Sequence, residues 1–294
     1  MRDARIHEYA IGDWAEFVDI VTSWSGFRNW GFRGQASAKW PLLSSLARHV
    51  EFTGVCKDAW PLQEERIRRI FERKAHLFMD DPPRDELEWL ALMQHHGAPT
   101  RLLDLTWSPF VAAFFALERA TDEAAVWAFN LPLIWQEAKQ GIDGMRMRDA
   151  DPRDRSTFNK VYLPNQYAFV WQGDPFRMPQ RVIAQSGTFL VSSHLGMTVE
   201  QILERYPRKR GTSKAHDETL LVKFVFDTRN MREDAMATLY SMNITQSTLF
   251  PDLDGLARSM LYEFEYSWQV DLKTNKPTGT LQDGHLPTHI LKEK

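Results

Sequence analysis

The sequence has a single cysteine, Cys56, among 294 residues. That excludes an intrachain disulfide framework and any zinc site built from several thiolates. Long apolar runs are also missing. The longest, residues 110–117, has eight residues, far short of the roughly 20 that cross a bilayer as a helix. The opening residues, Met1-Arg2-Asp3-Ala4-Arg5, lead into polar sequence and not into the apolar core of a secretory signal, so the cytosol is the expected compartment and no membrane partner is expected. Charge of one sign is not in excess: 36 Lys and Arg against 39 Asp and Glu give a net charge of −3 and a pI near 6.3. No global basic field draws the chain to nucleic acid, although Arg66, Arg68, Arg69 and Arg73 cluster, as do Arg205, Arg208, Lys209 and Arg210. GxGxxG, GxxxxGK[ST], HExxH and GxSxG are all absent. Dinucleotide binding of the Rossmann kind, P-loop NTPase activity, zincin proteolysis and α/β-hydrolase chemistry therefore have no support. There is no internal repeat and no low-complexity tract.

What remains is the pattern of a globular chain with many large rings, 11 of them Trp. Residues 13–24 read as a helix capped by Asp13, with Trp14, Phe17, Val18 and Val21 as its stripe. Residues 30–35 alternate like a strand: Trp30 and Phe32 point one way, Gly31, Arg33 and Gln35 the other. Residues 62–79 form the clearest helix, with Ile67, Phe71, Ala75 and Phe78 at helical spacing and Glu64–Arg68 and Glu65–Arg69 as i,i+4 pairs. A further helix over 85–96 opens on Asp85 with Glu88 and stops at Gly97. Residues 99–106 read as a strand, and Ser108-Pro109 opens a helix running to about Ala120. Strands are expected near 126–129, 185–192 and 219–226. Helices are expected near 197–206, 231–239 and, after the turn at 249–255, to about Phe264.

Two segments carry candidate chemistry, 32–35 and 100–108. Arg33 offers a guanidinium that can clamp a phosphate bidentately, or one that pairs with a structural carboxylate. Gly34 permits close backbone approach. Asp104 and Thr106 share a strand face leading into the helix N-terminus at Ser108, a geometry that suits an anion. The ordinary alternative is that Ser108 caps its helix and Asp104 ties down a loop. His95 and His96 are adjacent in a last helical turn and point about 100° apart, so structural roles suit at least one of them. Asp252 and Asp254 fit turn chemistry better than a metal site. Trp107 and Phe110 are rings that either stack on a ligand or pack the core.

Phe32-Arg33-Gly34-Gln35, followed by Gln94-His95-His96-Gly97-Ala98-Pro99-Thr100-Arg101-Leu102-Leu103-Asp104-Leu105-Thr106-Trp107-Ser108-Pro109 and then Ala112, Phe115 and Ala116, resembles the FRG domain, named for its Phe-Arg-Gly motif. The resemblance is strong over about 25–130. Arg181, Gln185-Ser186-Gly187-Thr188-Phe189 and the 249–256 segment are also typical of such proteins. Their order resembles ADP-ribosyltransferases of the Arg–Ser–Glu type. That resemblance implies NAD as substrate, with Arg33 holding its phosphates and Arg33, Gly34, Gln35, His95, Arg101, Asp104 and Thr106 around it. Thr106 and Ser108 shape the cleft, and Gln185 orients the ribose. Gly187 stands where the catalytic Glu belongs, so either Gln185, Glu218 or another carboxylate substitutes, or the correspondence does not hold at this turn, or the protein binds without turnover.

The expected fold is α+β, with helices packed around two small, bent, mainly antiparallel sheets and a central cleft, as in ADP-ribosyltransferases. One domain over 1–294 is expected: a motif-rich core at 25–130, a loop-rich insertion at 136–160, a C-terminal half at 161–270 and a loose tail at 271–294. The leading functional expectation is an NAD-dependent ADP-ribosyltransferase-like enzyme, a toxin or phage-defence effector. It would modify nucleic acid or protein and have an antitoxin-type protein partner. The alternatives are a non-catalytic nucleotide- or nucleic-acid-binding module and a metal-dependent nuclease using Asp104, His95, Asp252 and Asp254.

Overall fold

The computed structural model describes residues 5–23, 25–138, 144–206, 219–265, 270–271 and 275–277. Arg208, Lys209, Arg210, Glu218 and most of the 271–294 tail lie outside them. The chain divides into two units, Met1–Ile244 and Thr245–Lys294.

The first unit is built on a sheet of β1 (Ile6–Ile11), β2 (Gly31–Gln35), β3 (Leu102–Thr106), β4 (Glu123–Phe129), β5 (Val170–Gly173), β6 (Gly187–Ser192) and β7 (Leu221–Asp227), in the spatial order β1-β7-β4-β2-β3-β6-β5. β1 runs parallel to β7, and every other neighbouring pair is antiparallel. The α+β class holds, with one seven-stranded sheet where two small sheets were expected. Alternation along a strand reports which face is buried and says nothing of which strand lies beside it. The helices of this unit are α1 (Trp14–Ser23), α2 (Ser45–Phe52), α3 (Trp60–Ala75), α4 (Glu86–His95), α5 (Pro109–Leu117), α6 (Leu131–Ala138), α7 (Arg155–Thr157), α8 (Gln180–Ala184), α9 (Val199–Glu204) and α10 (Thr228–Ser241).

Gly31 and Gly34 are three residues apart on β2 and so point to opposite faces. A β-carbon at Gly34 would lie 1.9 Å from the Ala112 carbonyl oxygen and 2.6 Å from the Ala116 nitrogen, both in α5. One at Gly31 would meet Leu131 of α6. α5 therefore covers one face and α6 the other. On the α5 side, Phe17 of α1 packs edge-on to Phe224 and Phe226 of β7. The α6 side holds the larger core, joined by Leu87 and Leu90 of α4 and by Ile202 and Leu203 of α9.

The start signals behave as capping chemistry predicts. Asp85 accepts from the Glu88 N–H and Ser108 from the Val111 N–H, each satisfying an otherwise orphaned donor. Gly97 ends α4 with φ +81, a left-handed turn open to glycine. α3 departs from its reading. Its buried positions are Trp60, Glu64, Arg68 and, of the apolar stripe, Ala75, whereas Phe78 lies past the end of the helix and is exposed. Glu64 pairs with Arg101 and Arg68 with Glu86, so the helical spacing of Glu64 and Arg68 does not make them each other's main partners. The 136–160 segment contributes buried Met147, Ala150 and Phe158 to the core.

The second unit contains α11 (Gln246–Leu249), α12 (Leu253–Glu265) and the short antiparallel pair β8 (Val270–Asp271) and β9 (Lys276–Pro277). No described helix is long and apolar enough to cross a membrane.

Candidate functional site

β2 and β3 are neighbours that barely touch. They share one paired position, Phe32 with Thr106, whereas β2–β4 and β3–β6 each share five. Beyond Phe32 the two strands part. Arg33 fills the parting: its Nη1 donates to the backbone carbonyl of Asp104 at 2.8 Å, an acceptor that a continuous ladder would have given to β2. Arg33 Nε is shut off from solvent and meets no hydrogen-bond partner among the described residues. Burial lowers the pKa of this guanidinium below the ordinary arginine range; the Asp104 charge acts the other way, and Arg48 lowers it again. The group remains a cation, but a poorly solvated one with an unused donor. An incoming anion is the species that would restore what burial removed.

Around it runs a polar chain. The Gln94 amide Nε2 donates to Asp104 Oδ1 at 2.6 Å, and the Thr100 hydroxyl donates to Gln94 Oε1. Asp104 itself is exposed. At the far end of β3, the Thr106 hydroxyl donates to the Gln185 carbonyl at 2.7 Å and accepts from the Ser108 N–H. The Trp107 N–H donates to the Ser186 carbonyl at 2.9 Å. Thr106 and Trp107 thus fix the Gln185-Ser186-Gly187 turn, in which Ser186 has φ +46, against the strand next to Arg33. At Gly187 a β-carbon would lie 2.9 Å from Val182 Cγ1 and 3.0 Å from the Val182 carbonyl, so a side chain there would have to displace Val182.

Residues 28–125 match the model of the FRG domain. The chain carries an FRG domain. No curated protein and no solved structure matches the chain significantly. The FRG domain holds β2, β3, α5 and the Arg33–Asp104–Gln94 chain of contacts, whereas the 185–187 turn and β5 to β7 lie beyond its matched residues.

Four of the residues expected around a ligand are held by packing within the first unit. Arg101 has no exposed surface; its guanidinium grips the Glu64 carboxylate with two hydrogen bonds and donates to the Ser192 carbonyl at 2.9 Å. Gln35 is buried, accepting from Trp127 Nε1 at 2.7 Å and donating to the Pro41 carbonyl. Gly34 accommodates α5 and not a ligand's approach. Ser108 caps α5. Phe110 lies edge-on to Trp14 at 6.3 Å, a core contact, while Trp107 is exposed. His95 and His96 stack edge to face at 4.7 Å. In the second unit, Asp252 Oδ1 accepts from the Gly255 N–H at 2.7 Å, the turn chemistry that its spacing implied. Among the described residues no three His, Cys, Asp or Glu side chains are grouped to hold a metal ion.

Thr100, the first residue of the 100–108 segment, joins the surroundings of Arg33, and so do Gln94 and Arg48, which the sequence reading gave no role. Gln94 opens the Gln94-His95-His96-Gly97 stretch, and that stretch was the available signal. Nothing in the sequence marks Arg48, which lies 15 residues from Arg33 on α2 and acts through its charge.

Proposed function

We propose that the parting between β2 and β3 binds NAD and that the chain is an ADP-ribosyltransferase-like enzyme. The observation that carries this reading is the half-buried Arg33 side chain, whose Nε is shut off from solvent and without a partner among the described residues, at the line where two strands separate. Three sequence elements of the Arg–Ser–Glu order also fall on neighbouring strands: Arg33 on β2, Asp104–Ser108 on β3 and into α5, and the Gln185–Gly187 turn entering β6. In this reading Arg33 holds the pyrophosphate, Thr106 positions the turn, and Gln185 meets the ribose. Breaking the bond from ribose C1′ to nicotinamide nitrogen leaves positive charge on the sugar, and the acceptor's nucleophile then forms the new bond there. A fixed negative charge lowers that barrier. Asp104, exposed beside Arg33, is the carboxylate that would supply it.

The test is incubation with NAD and with RNA, DNA and protein acceptors, following nicotinamide release. Release by the wild type, lost in Arg33→Ala and strongly reduced in Asp104→Asn, supports the reading. No release in the presence of all three acceptors sinks it. A second reading is favoured by Gly187, which carries no carboxylate and whose β-carbon position is crowded by Val182: a nucleotide-binding module without turnover. It predicts NAD binding, read by tryptophan fluorescence, that Arg33→Ala abolishes while nicotinamide is never released.

A further inference from the structure

The start of α2 is tied to both strands that part at Arg33. Antiparallel pairing at Phe32 and Thr106 sets the C-terminal end of β2 beside the N-terminal end of β3, and that is the open end of the parting. On the β2 side, Gln35 Nε2 donates to the Pro41 carbonyl at 3.3 Å. On the β3 side, the Thr100 N–H donates to the Ser45 hydroxyl and the Leu46 N–H donates to the Thr100 carbonyl, both at 3.0 Å. Ser44 caps the helix by accepting from the Ala47 N–H at 3.2 Å. Thr100 in turn donates to Gln94, which holds Asp104. α2 therefore begins from a fixed point at the mouth of the parting.

Arg48 lies about one helical turn beyond that point. Its Nη1 donates back to the Leu43 carbonyl at 2.8 Å. This bond turns the side chain toward the helix N-terminus, and so toward the open end. Electrostatics agree with the placement. Burial is the first cause of the lowered pKa of Arg33, and the Arg48 charge adds to it.

The two guanidiniums also share what they lack. The buried arginines of this unit, Arg5, Arg68 and Arg101, each pair with a carboxylate. Arg33 and Arg48 form no salt bridge among the described residues; each donates to a backbone carbonyl. Asp104 is the acid whose charge bears on Arg33, and its Oδ1 already accepts from Gln94. Two cations beside one carboxylate leave an excess of positive charge at the parting, with Arg33 Nε still unpartnered. Like charges held together in a partly buried space are costly until an anion enters.

We propose that Arg48 is a second binding residue of this site, and that Arg33 and Arg48 together take two linked phosphate groups, one on each guanidinium. The inference rests on the reading that the parting binds NAD, and it adds which part of that ligand is held from α2. A guanidinium suits the task because its fork presents paired N–H donors to a phosphate. A ligand with one phosphate satisfies Arg33 and leaves Arg48, which is exposed, in water at little cost. A diphosphate engages both. Arg48 then discriminates between ligands of similar charge by the number of their phosphate groups.

The test compares ADP-ribose with AMP by isothermal calorimetry on the full chain. At neutral pH the two carry similar charge, since the single phosphate of AMP is close to doubly ionised, but only ADP-ribose has two phosphates. Arg48→Ala should weaken ADP-ribose about tenfold or more and leave AMP within about twofold, with an unchanged melting temperature. Arg48→Lys keeps the charge without the fork and should recover part of the loss. Arg33→Ala should abolish binding of both ligands. Should Arg48→Ala unfold, Arg48→Gln carries the same comparison. If the Arg48 variants weaken both ligands equally, or neither, while Arg33→Ala abolishes them, the proposal falls and the NAD reading stands. If the wild type binds neither ligand, the proposal falls; if it also releases no nicotinamide from NAD, that reading falls with it.

Discussion

Arg33 and Arg101 are the same residue type in one domain, and their environments give them opposite tasks. Arg101 is a closed account: two hydrogen bonds to Glu64, one to the Ser192 carbonyl, and no exposed surface. Arg101→Met leaves the Glu64 carboxylate buried and unpaired, so a loss of about 3–5 kcal/mol is expected in urea unfolding. The double variant Arg101→Met/Glu64→Leu should recover most of it, because replacing both partners with apolar groups removes the stranded charge. Arg33→Ala should behave differently, with little loss of stability and loss of the proposed NAD binding. The sequence alone did not separate the two arginines. Arg101 sat beside Asp104 in the motif and shared its candidacy, because its true partner is 37 residues earlier on α3. An ion pair across that separation leaves no trace in local spacing. Arg33 was legible because its strand alternates cleanly between apolar and polar positions.

Most secondary elements were readable, because each is specified by chemistry within a few residues: caps at Asp85 and Ser108, the left-handed Gly97, the alternation at 30–35. Their assembly was not. Gly34 illustrates the gap. From sequence it marked a place for a ligand to approach, but the group that approaches is the α5 backbone. Gly34→Ala puts a β-carbon 1.9 Å from the Ala112 carbonyl oxygen, and α5 must lift from the sheet. A loss of about 3 kcal/mol or more is expected, measured as a fall in the urea midpoint. Ser108→Ala removes only a cap and should cost about 1 kcal/mol. Because Ser108 accepts from Val111 within α5, the proposed NAD binding should survive that change; if it fails, Ser108 touches the ligand directly.

Across the whole first unit, ionised carboxylates hold the surface loops to the helices, and acid should release them. Glu88 is the example. Burial pushes its pKa up, but hydrogen bonds from Arg177 and from the Arg84 N–H outweigh burial and leave it below the ordinary glutamate range. Asp151 is likewise held low by Arg153 against its own burial. A carboxylate with a depressed folded pKa stabilises above its unfolded pKa, and that stability drains as pH falls through the folded value. Glu86 runs the other way: burial dominates over Arg68 and Arg155 and raises it, so its ionisation weighs against folding as pH rises. Melting curves taken from neutral pH down past the ordinary carboxylate range should show a steady decline. Arg177→Met should start lower at neutral pH and decline less steeply, because the group that depresses Glu88 is gone. A parallel decline in both proteins would contradict this assignment.

A plate fastened by five rungs along some lines and by one along another flexes where the fastening is thinnest. The single Phe32–Thr106 rung puts that crease between β2 and β3, with β1, β7, β4 and β2 on one leaf and β3, β6 and β5 on the other. Thermal shear between the leaves is then taken up beside Arg33, while the better-fastened lines stay rigid. Backbone amides along the crease should exchange with solvent before those along β2–β4 or β3–β6. A molecule that bridged the two leaves would act as an added rivet, slowing that exchange without altering the rest of the sheet.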